Sequence, residues 1–199
     1  MEIDMQFLAS ITAAALFMGV FATADVSAQK KLKDKKAMTY IMTVMQGNKE
    51  LGKIEIKLWP EIAPKHCAFF DARVAEGWYD GSAFHRVIPN FMIQGGDPNS
   101  KDQPRNSWGS GGYNERVVAE FTDTKHVRGT LSAARTPDPN SFSGQFFICV
   151  ADASNLDNQY SAFGEVVTGM EVADVIVNNP RDAGDCPLEK ITFSIVKGK

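Results

Sequence analysis

The chain has 199 residues, enough for one domain with a well-buried core, and a formal net charge of -3. Such a slightly acidic chain lacks the basic face that nucleic-acid binding normally needs, so we predict no nucleic-acid partner. The 16 glycines, 9 prolines and 13 phenylalanines, together with short apolar segments, are typical of a turn-rich β protein.

The first 28 residues resemble a signal peptide in composition. The segment 7–24 is apolar and rich in small residues, and Val26-Ser27-Ala28 fits the small-x-small pattern before a signal-peptidase cut after Ala28. Residues 29–37 form a basic linker. The lysines of this linker follow the apolar segment rather than precede it, which is unusual for a signal peptide. The alternatives to a cleaved signal peptide are therefore an uncleaved anchor and a misassigned start. We expect an exported protein, periplasmic or secreted, or else a membrane-anchored one.

The predicted domain, 38–199, begins with two strands and a helix. Strands are predicted at 38–44 and 51–58, with Gly47-Asn48 as the turn between them. Two prolines then mark the start of a helix, and Gly77 is placed to end it. The apolar residues at helical spacing on one face are Ala63, Cys67, Phe70 and Val74.

The rest of the domain is predicted to be mainly β. Strands follow near 83–88, 91–95, 129–134, 145–150, 161–167 and 191–195. Between Pro98 and Asn114 polar and turn-forming residues dominate, which predicts a long loop that carries Trp108 and Tyr113. A second helix is predicted to begin at Thr168, because Glu171 gives capping-box spacing. Many short strands with two helices indicate a closed or nearly closed β-barrel.

Metal and nucleophilic chemistry find no support in the residue pattern. The histidines at 66, 85 and 126 lack metal-ligand spacing, and no serine lies in a nucleophile-elbow sequence. We expect His66 to lie on the surface. His85 is predicted to be structural, because strand alternation points it away from Arg86. Asp138 and Asp157 are expected to be solvated turn residues.

The three cysteines, Cys67, Cys149 and Cys186, have no C-x-x-C spacing. Buried thiols are the favoured interpretation for all three, and Cys149 lies in an apolar strand-like segment. A Cys67–Cys186 disulfide is the alternative in an oxidising compartment.

The segment Phe84 to Asp97 carries the most specific chemistry. Arg86 cannot lose its proton, so it can only donate hydrogen bonds and hold a positive charge. Met92 and Gln94 share a strand face, which brings an amide next to an apolar side chain. A fixed guanidinium beside an apolar surface suits a neutral, polarisable substrate such as an amide.

Two segments resemble the signatures of the cyclophilin-type peptidyl-prolyl isomerases. The first is Phe84-His85-Arg86-Val87-Ile88 followed by Phe91-Met92-Ile93-Gln94-Gly95-Gly96-Asp97. The second runs from His126 to Arg135, with Asp138-Pro139-Asn140-Ser141 and Gln145-Phe146-Phe147-Ile148 after it. Leu156-Asp157 and Phe163-Gly164-Glu165-Val166 continue the similarity, which covers roughly 38–196.

The resemblance implies a closed eight-stranded antiparallel β-barrel capped by two α-helices, and cis–trans isomerisation of X–Pro bonds without metal or cofactor. It implies that Arg86 is catalytic and stabilises the twisted amide. It also implies that proline-containing polypeptides are the partners of a monomeric enzyme that assists folding of exported proteins. The implied substrate-binding residues are Phe91, Met92, Gln94, Ala134, Arg135, Gln145, Phe147, Leu156 and Tyr160. The alternative functions are a non-catalytic module that binds proline peptides and a scaffold that uses the long loop.

Three positions depart from the family pattern. Asn155 stands where many members carry Trp or another aromatic, which predicts weak binding of the cyclic peptide cyclosporin. Tyr160 stands where some carry His, and Gly144 where Ser is usual. The loop from Pro98 to Asn114 is longer than the family requires.

Overall fold

The computed structural model describes residues 38–198, and the predicted signal peptide and linker lie outside them. The described part begins with strands β1 (Thr39–Gln46) and β2 (Lys49–Leu58), which pair as a hairpin. Gly47 has a φ of 57°, a conformation that a turn glycine adopts without strain. Alternate side chains of β1 are buried, so the predicted strands and turn are confirmed.

Helix α1 (Pro64–Ala75) confirms the first predicted helix. Proline stands in its first turn, where the missing N–H would have no partner anyway. Gly77 follows with a φ of 67° and ends it. The predicted apolar face is the buried one, because Ala63, Cys67, Phe70 and Val74 all lie in the core.

Seven further strands complete one antiparallel sheet: β3 (Ser82–Ala83), β4 (Arg86–Ile88), β5 (Met92–Gly95), β6 (Thr130–Ala133), β7 (Phe146–Cys149), β8 (Ala162–Thr168) and β9 (Ile191–Lys197). The strand order is β3-β9-β1-β2-β8-β6-β7-β5-β4. Its two end strands are consecutive in the chain, so the sheet curls back on itself.

The mainly β antiparallel barrel is therefore confirmed, and the strand number differs in one detail. The structure has nine strands rather than eight because the predicted strand 83–88 is interrupted. Phe84 N–H donates to the carbonyl of Ile191 in β9, whereas His85 N–H donates to that of Gln94 in β5. The chain changes its hydrogen-bonding partner at this point, which divides one strand into β3 and β4.

Helix α3 (Met170–Val177) is the second predicted helix, but its start was wrongly predicted. Thr168 ends β8, and the residue before the helix is Gly169, with a φ of 93° and no side-chain cap. A Cβ at Gly169 would collide with the backbone of Lys53. Close approach to β2 therefore determines this helix start, not the capping box at Thr168 and Glu171.

The segment 98–114 is more ordered than the predicted loop. It contains a short third helix, α2 (Asn99–Asp102), and a 3-10 turn at Arg105–Ser107. Trp108 donates from Nε1 to the carbonyl of Gln103, and Arg105 lies over its ring at 5.4 Å. Tyr113 packs edge-on against Phe69, with ring centroids 5.8 Å apart. Both aromatic side chains are therefore packing residues. A scaffolding role for this loop would instead require them to be exposed on a mobile segment.

The prediction that His66 lies on the surface is wrong. His66 is 1% exposed, and its Nδ1 lies 2.7 Å from Oε2 of Glu120. The same carboxylate accepts hydrogen bonds from the backbone N–H groups of Lys65 and His66 in the first turn of α1. Glu120 thus satisfies helix donors that would otherwise have no partner, and it also contacts the His66 imidazole.

The cysteine prediction holds for two positions. Cys67 and Cys149 are buried, and the Cys67 thiol donates to the carbonyl of Phe163. Cys186 is only partly buried, because it lies in the irregular segment before β9.

Within residues 38–198 no helix is long and apolar enough to cross a membrane.

Candidate active site

The site begins as a row of side chains across four neighbouring strands. Arg86 in β4 lies directly opposite Gln94 in β5, and Gln94 lies opposite Phe147 in β7. Phe147 in turn lies opposite Ser132 in β6. Directly opposed residues project on the same face of an antiparallel sheet. The register therefore aligns a cation, an amide, an aromatic ring and a hydroxyl on one surface.

A cavity of about 280 Å³ opens beside this row. Nine of the ten predicted site residues line it, together with Asn155. The nine are Arg86, Phe91, Met92, Gln94, Ala134, Arg135, Phe147, Leu156 and Tyr160. The strands supply one wall, and the 3-10 turn at Ser154–Leu156 supplies the other.

The floor of this cavity is apolar and separate from the main core. Met92, Phe147 and Leu156 are 2%, 5% and 6% exposed, and they cluster with Cys149 and Ala153. Burial raises the pKa of the Cys149 thiol to about 12, so the thiol is neutral at physiological pH. The floor therefore has the size and polarity to hold a small aliphatic ring such as that of proline.

Gln145, the tenth predicted residue, contacts the cavity through Gln94. Gln94 donates from Nε2 to Oε1 of Gln145 at 3.0 Å. Gln145 donates from its own Nε2 to the carbonyls of Gly109 and Gly111, at 3.0 and 2.7 Å. The segment 98–114 thus fixes the orientation of both amides, a contribution that the sequence pattern did not indicate.

Arg135 and Tyr160 form the rim of the cavity. The Arg135 guanidinium lies 4.4 Å from the centroid of the Tyr160 ring, and its Nε donates to the carbonyl of Gln159. The Tyr160 ring meets Phe147 edge-on, with centroids 5.7 Å apart. Arg135 therefore holds an aromatic wall in place, because a cation is attracted to the ring face.

Sequence reasoning missed a pair behind the cavity that consists of a buried histidine and a partly buried aspartate. His126 is 1% exposed, and its Nδ1 lies 3.3 Å from Oδ1 of Asp157. Asp157 was predicted to be a solvated turn residue, and that prediction is wrong. Its carboxylate also accepts the backbone N–H of His126 and pairs with Lys125. No short-range motif indicates this pair, since its members are 31 residues apart.

The two remaining polar candidates from the sequence, His85 and Asp138, lie in structural positions. His85 is 7% exposed, in agreement with its predicted structural position, and burial lowers its pKa. Asp138 is exposed and accepts the backbone N–H of Asn140 within its turn. Among residues 38–198, no group of three or more His, Cys, Asp or Glu side chains could hold a metal ion.

Known proteins are similar to this chain both in sequence and in architecture. Residues 41–197 match the family described as cyclophilin type peptidyl-prolyl cis-trans isomerase/CLD. A probable peptidyl-prolyl cis-trans isomerase of Brucella suis is 38% identical over 177 residues, which cover 86% of each chain. A peptidyl-prolyl cis-trans isomerase of Acinetobacter baylyi is 41% identical over 149 residues, which cover 69% of this chain and 73% of the relative.

A solved structure gives the same result for the fold. The cyclophilin type peptidyl-prolyl cis-trans isomerase of Cryptosporidium parvum superimposes with a TM-score of 0.72 at 29% identity, covering 82% of this chain and 98% of the relative. A second structure of that protein, in the presence of the dipeptide Ala-Pro, gives a TM-score of 0.71 at 30% identity and covers 81% and 99%. The chain therefore belongs to the family of cyclophilin-type peptidyl-prolyl cis-trans isomerases, and its activity is the isomerisation of X–Pro peptide bonds.

Proposed function

We propose that the isomerisation takes place in the cavity beside Arg86, and that it assists the folding of exported proteins. The observation that carries the first part is the position of an exposed guanidinium next to a cavity with an apolar floor. Among residues 38–198, Arg86 forms no ion pair with a carboxylate, so its donors are available to a substrate.

The barrier to this reaction arises from amide resonance. Rotation about the peptide bond must cross about 18–20 kcal/mol, and uncatalysed X–Pro exchange takes roughly 10–100 s. In the twisted transition state the prolyl nitrogen loses its delocalisation and becomes a better hydrogen-bond acceptor. A donor that binds this nitrogen more strongly when it is twisted than when it is planar lowers the barrier.

Arg86 is the group suited to act as that donor. Its charge is permanent, and hydrogen bonds from a charged donor are stronger than those between neutral groups. Gln94 lies opposite Arg86 and uses its Nε2 on Gln145, which leaves its Oε1 available to accept from the guanidinium. Phe91, Met92 and Phe147 hold the pyrrolidine ring while the flanking peptide rotates. This step needs no nucleophile and no proton transfer.

Polypeptides that contain proline are the proposed substrates. The Cryptosporidium parvum relative was solved in the presence of Ala-Pro, which supports a dipeptide unit of this kind as the part recognised. The experiment is a protease-coupled assay with a proline tetrapeptide and residues 29–199. We expect catalysis by the wild-type protein and a large loss in Arg86→Ala, whereas an inactive wild-type protein would refute the proposal.

The cellular role depends on the N-terminus. The signal-peptide pattern at residues 1–28 supports export, and the alternative is a membrane-anchored enzyme. Intact-mass analysis of the protein from its native host distinguishes the two. A chain that begins at Gln29 supports export with cleavage, and one that retains Met1 supports the anchor.

A further inference from the structure

We propose that His126 and Asp157 are positioning residues that hold the two walls of the proline cavity together, and that the cavity binds substrate well only while the imidazole is neutral. The proposal rests on the proposed function of the Arg86 site. It concerns residues that line neither wall themselves and that touch no substrate.

The first wall is supported by the His126 side chain. Its ring is stacked at 21° to the ring of Phe147, with centroids 6.2 Å apart. Its Nε2 lies 3.0 Å from Oγ of Ser132, the residue directly opposite Phe147 in β6. The imidazole therefore fixes both Phe147, which belongs to the strand wall and its apolar floor, and Ser132, the cross-strand neighbour of Phe147.

The second wall is supported by Asp157 and by the backbone of His126. Asp157 directly follows Leu156, and its carboxylate accepts the backbone N–H of His126 at 2.9 Å. The carbonyl of His126 accepts the N–H of Ala153, at 2.7 Å, at the start of the same 3-10 turn. Both ends of the turn that carries Leu156 are thus bound to one residue.

The hydrogen-bond pattern determines the tautomer of the imidazole. Nδ1 faces a carboxylate, which accepts only, so Nδ1 carries the proton. Nε2 is then an acceptor, and the Ser132 hydroxyl donates to it. Protonation of Nε2 reverses this bond and places a positive charge in a buried site next to Phe147. We expect the ring and the Ser132 side chain to shift, and the apolar floor to open.

The charges around the imidazole set the direction in which its pKa departs from the ordinary value. Burial holds the pKa of His126 below its usual value, and the Asp157 carboxylate opposes this effect. Lys125 pairs with the other Asp157 oxygen at 3.1 Å, and the Cys149 thiol of β7 is neutral. The imidazole is therefore neutral at pH 7 and above, and its protonation requires a pH below the ordinary histidine pKa of about 6.5.

The test is the pH dependence of KM and kcat for a proline tetrapeptide, measured from pH 8 to 5 with the full domain. In the wild-type protein we expect KM to rise at least fivefold on the acid side, with kcat changed less than twofold. The midpoint should match the titration of the His126 imidazole followed by NMR. An acid limb in kcat instead of KM would overturn the proposal.

Variants separate positioning from simple packing. His126→Leu should raise KM at least fivefold at pH 8, and His126→Gln, which keeps an acceptor, should restore it to within threefold. Asp157→Asn removes the charge that stabilises the imidazolium, so the acid limb should move to lower pH. Asp123→Asn, an exposed change in the same loop, should leave the limb in place.

These outcomes separate the two proposals. A wild-type protein with no activity refutes the proposed function. An active wild-type protein whose KM is flat from pH 8 to 5, or whose acid limb does not move in Asp157→Asn, refutes only the positioning role. If His126→Leu fails to fold, the pH profiles of His126→Gln and Asp157→Asn still decide.

Discussion

Gln94 donates a hydrogen bond from Nε2 to Oε1 of Gln145 at 3.0 Å, and Gln145 is itself held by two glycine carbonyls of the segment 98–114. Gln94 is also the residue directly opposite Arg86. The segment that the sequence predicted to be a loop longer than the family requires therefore orients the amide beside Arg86, the proposed donor.

Loss of the Gln145 amide should weaken catalysis through this chain of hydrogen bonds. We expect Gln145→Leu to lower kcat/KM about fivefold, because a hydrogen bond of this kind contributes roughly 1 kcal/mol. Gln103→Leu, at an exposed position of the same segment, is the matched control and should have no effect. A rate unchanged in Gln145→Leu would show that the orientation of Gln94 does not matter.

Stability should fall on mild acidification because all three histidines of the chain are buried. Burial holds the pKa of His66, His85 and His126 below the usual value of 6.5, so the unfolded chain binds more protons than the folded one. The free energy of unfolding should be constant above about pH 7 and should fall below pH 6.5, by at most about 1.4 kcal/mol per pH unit for each histidine.

Thermal unfolding between pH 8 and 5 checks this expectation. Carboxylates whose pKa is lowered, such as Asp174, lose their contribution only near pH 4 and below, outside the window. A midpoint temperature that stays flat from pH 8 to 5 would contradict the assignment of three neutral histidines.

Gly169 should tolerate no side chain, in contrast to Gly47. Both have positive φ, but a Cβ at Gly169 would collide with the backbone of Lys53, whereas nothing lies within 4 Å of one at Gly47. We expect Gly169→Ala to lower the unfolding free energy by at least about 2 kcal/mol, and Gly47→Ala by roughly 1 kcal/mol. Equal losses in urea unfolding would mean that close packing does not determine this helix start.

Cyclosporin should bind weakly because the cavity lacks an aromatic wall at one position. Asn155 lines the cavity but is exposed, and its backbone carbonyl is used by the side chain of Gln159. Introducing the indole in Asn155→Trp should tighten binding about tenfold, the effect of one well-packed aromatic residue. Calorimetry gives both constants, and a nanomolar dissociation constant for the wild-type protein would contradict the prediction.

The sequence determined the site better than it determined the surroundings of the site. Arg86, Met92, Gln94 and Phe147 lie on short strands whose alternation fixes the face of each side chain. The resemblance to the family names the other lining residues. His66 and Asp157 were misassigned because their partners, Glu120 and His126, are 54 and 31 residues distant. Only the folded chain brings these titratable groups into contact.

The two errors in element assignment have a related origin. The capping box at Thr168 and the single strand at 83–88 are reasonable local patterns. Tertiary contacts overrode both patterns. Thr168 still belongs to β8, where it pairs with Glu55 of β2. The segment 83–88 is divided because β3 pairs with β9 whereas β4 pairs with β5. Local spacing predicted that these elements exist. It did not predict their boundaries, which depend on contacts with neighbouring strands.

The role of Arg86 is tested most directly by NMR exchange spectroscopy on a proline tetrapeptide, which measures binding and isomerisation in one sample. Arg86→Ala should still bind the peptide, while kcat/KM falls at least tenfold, equivalent to about 1.4 kcal/mol of lost transition-state stabilisation. Arg181→Ala, an exposed arginine outside the cavity, should match the wild-type protein in both measurements. Unchanged isomerisation in Arg86→Ala would contradict the proposed role of this residue.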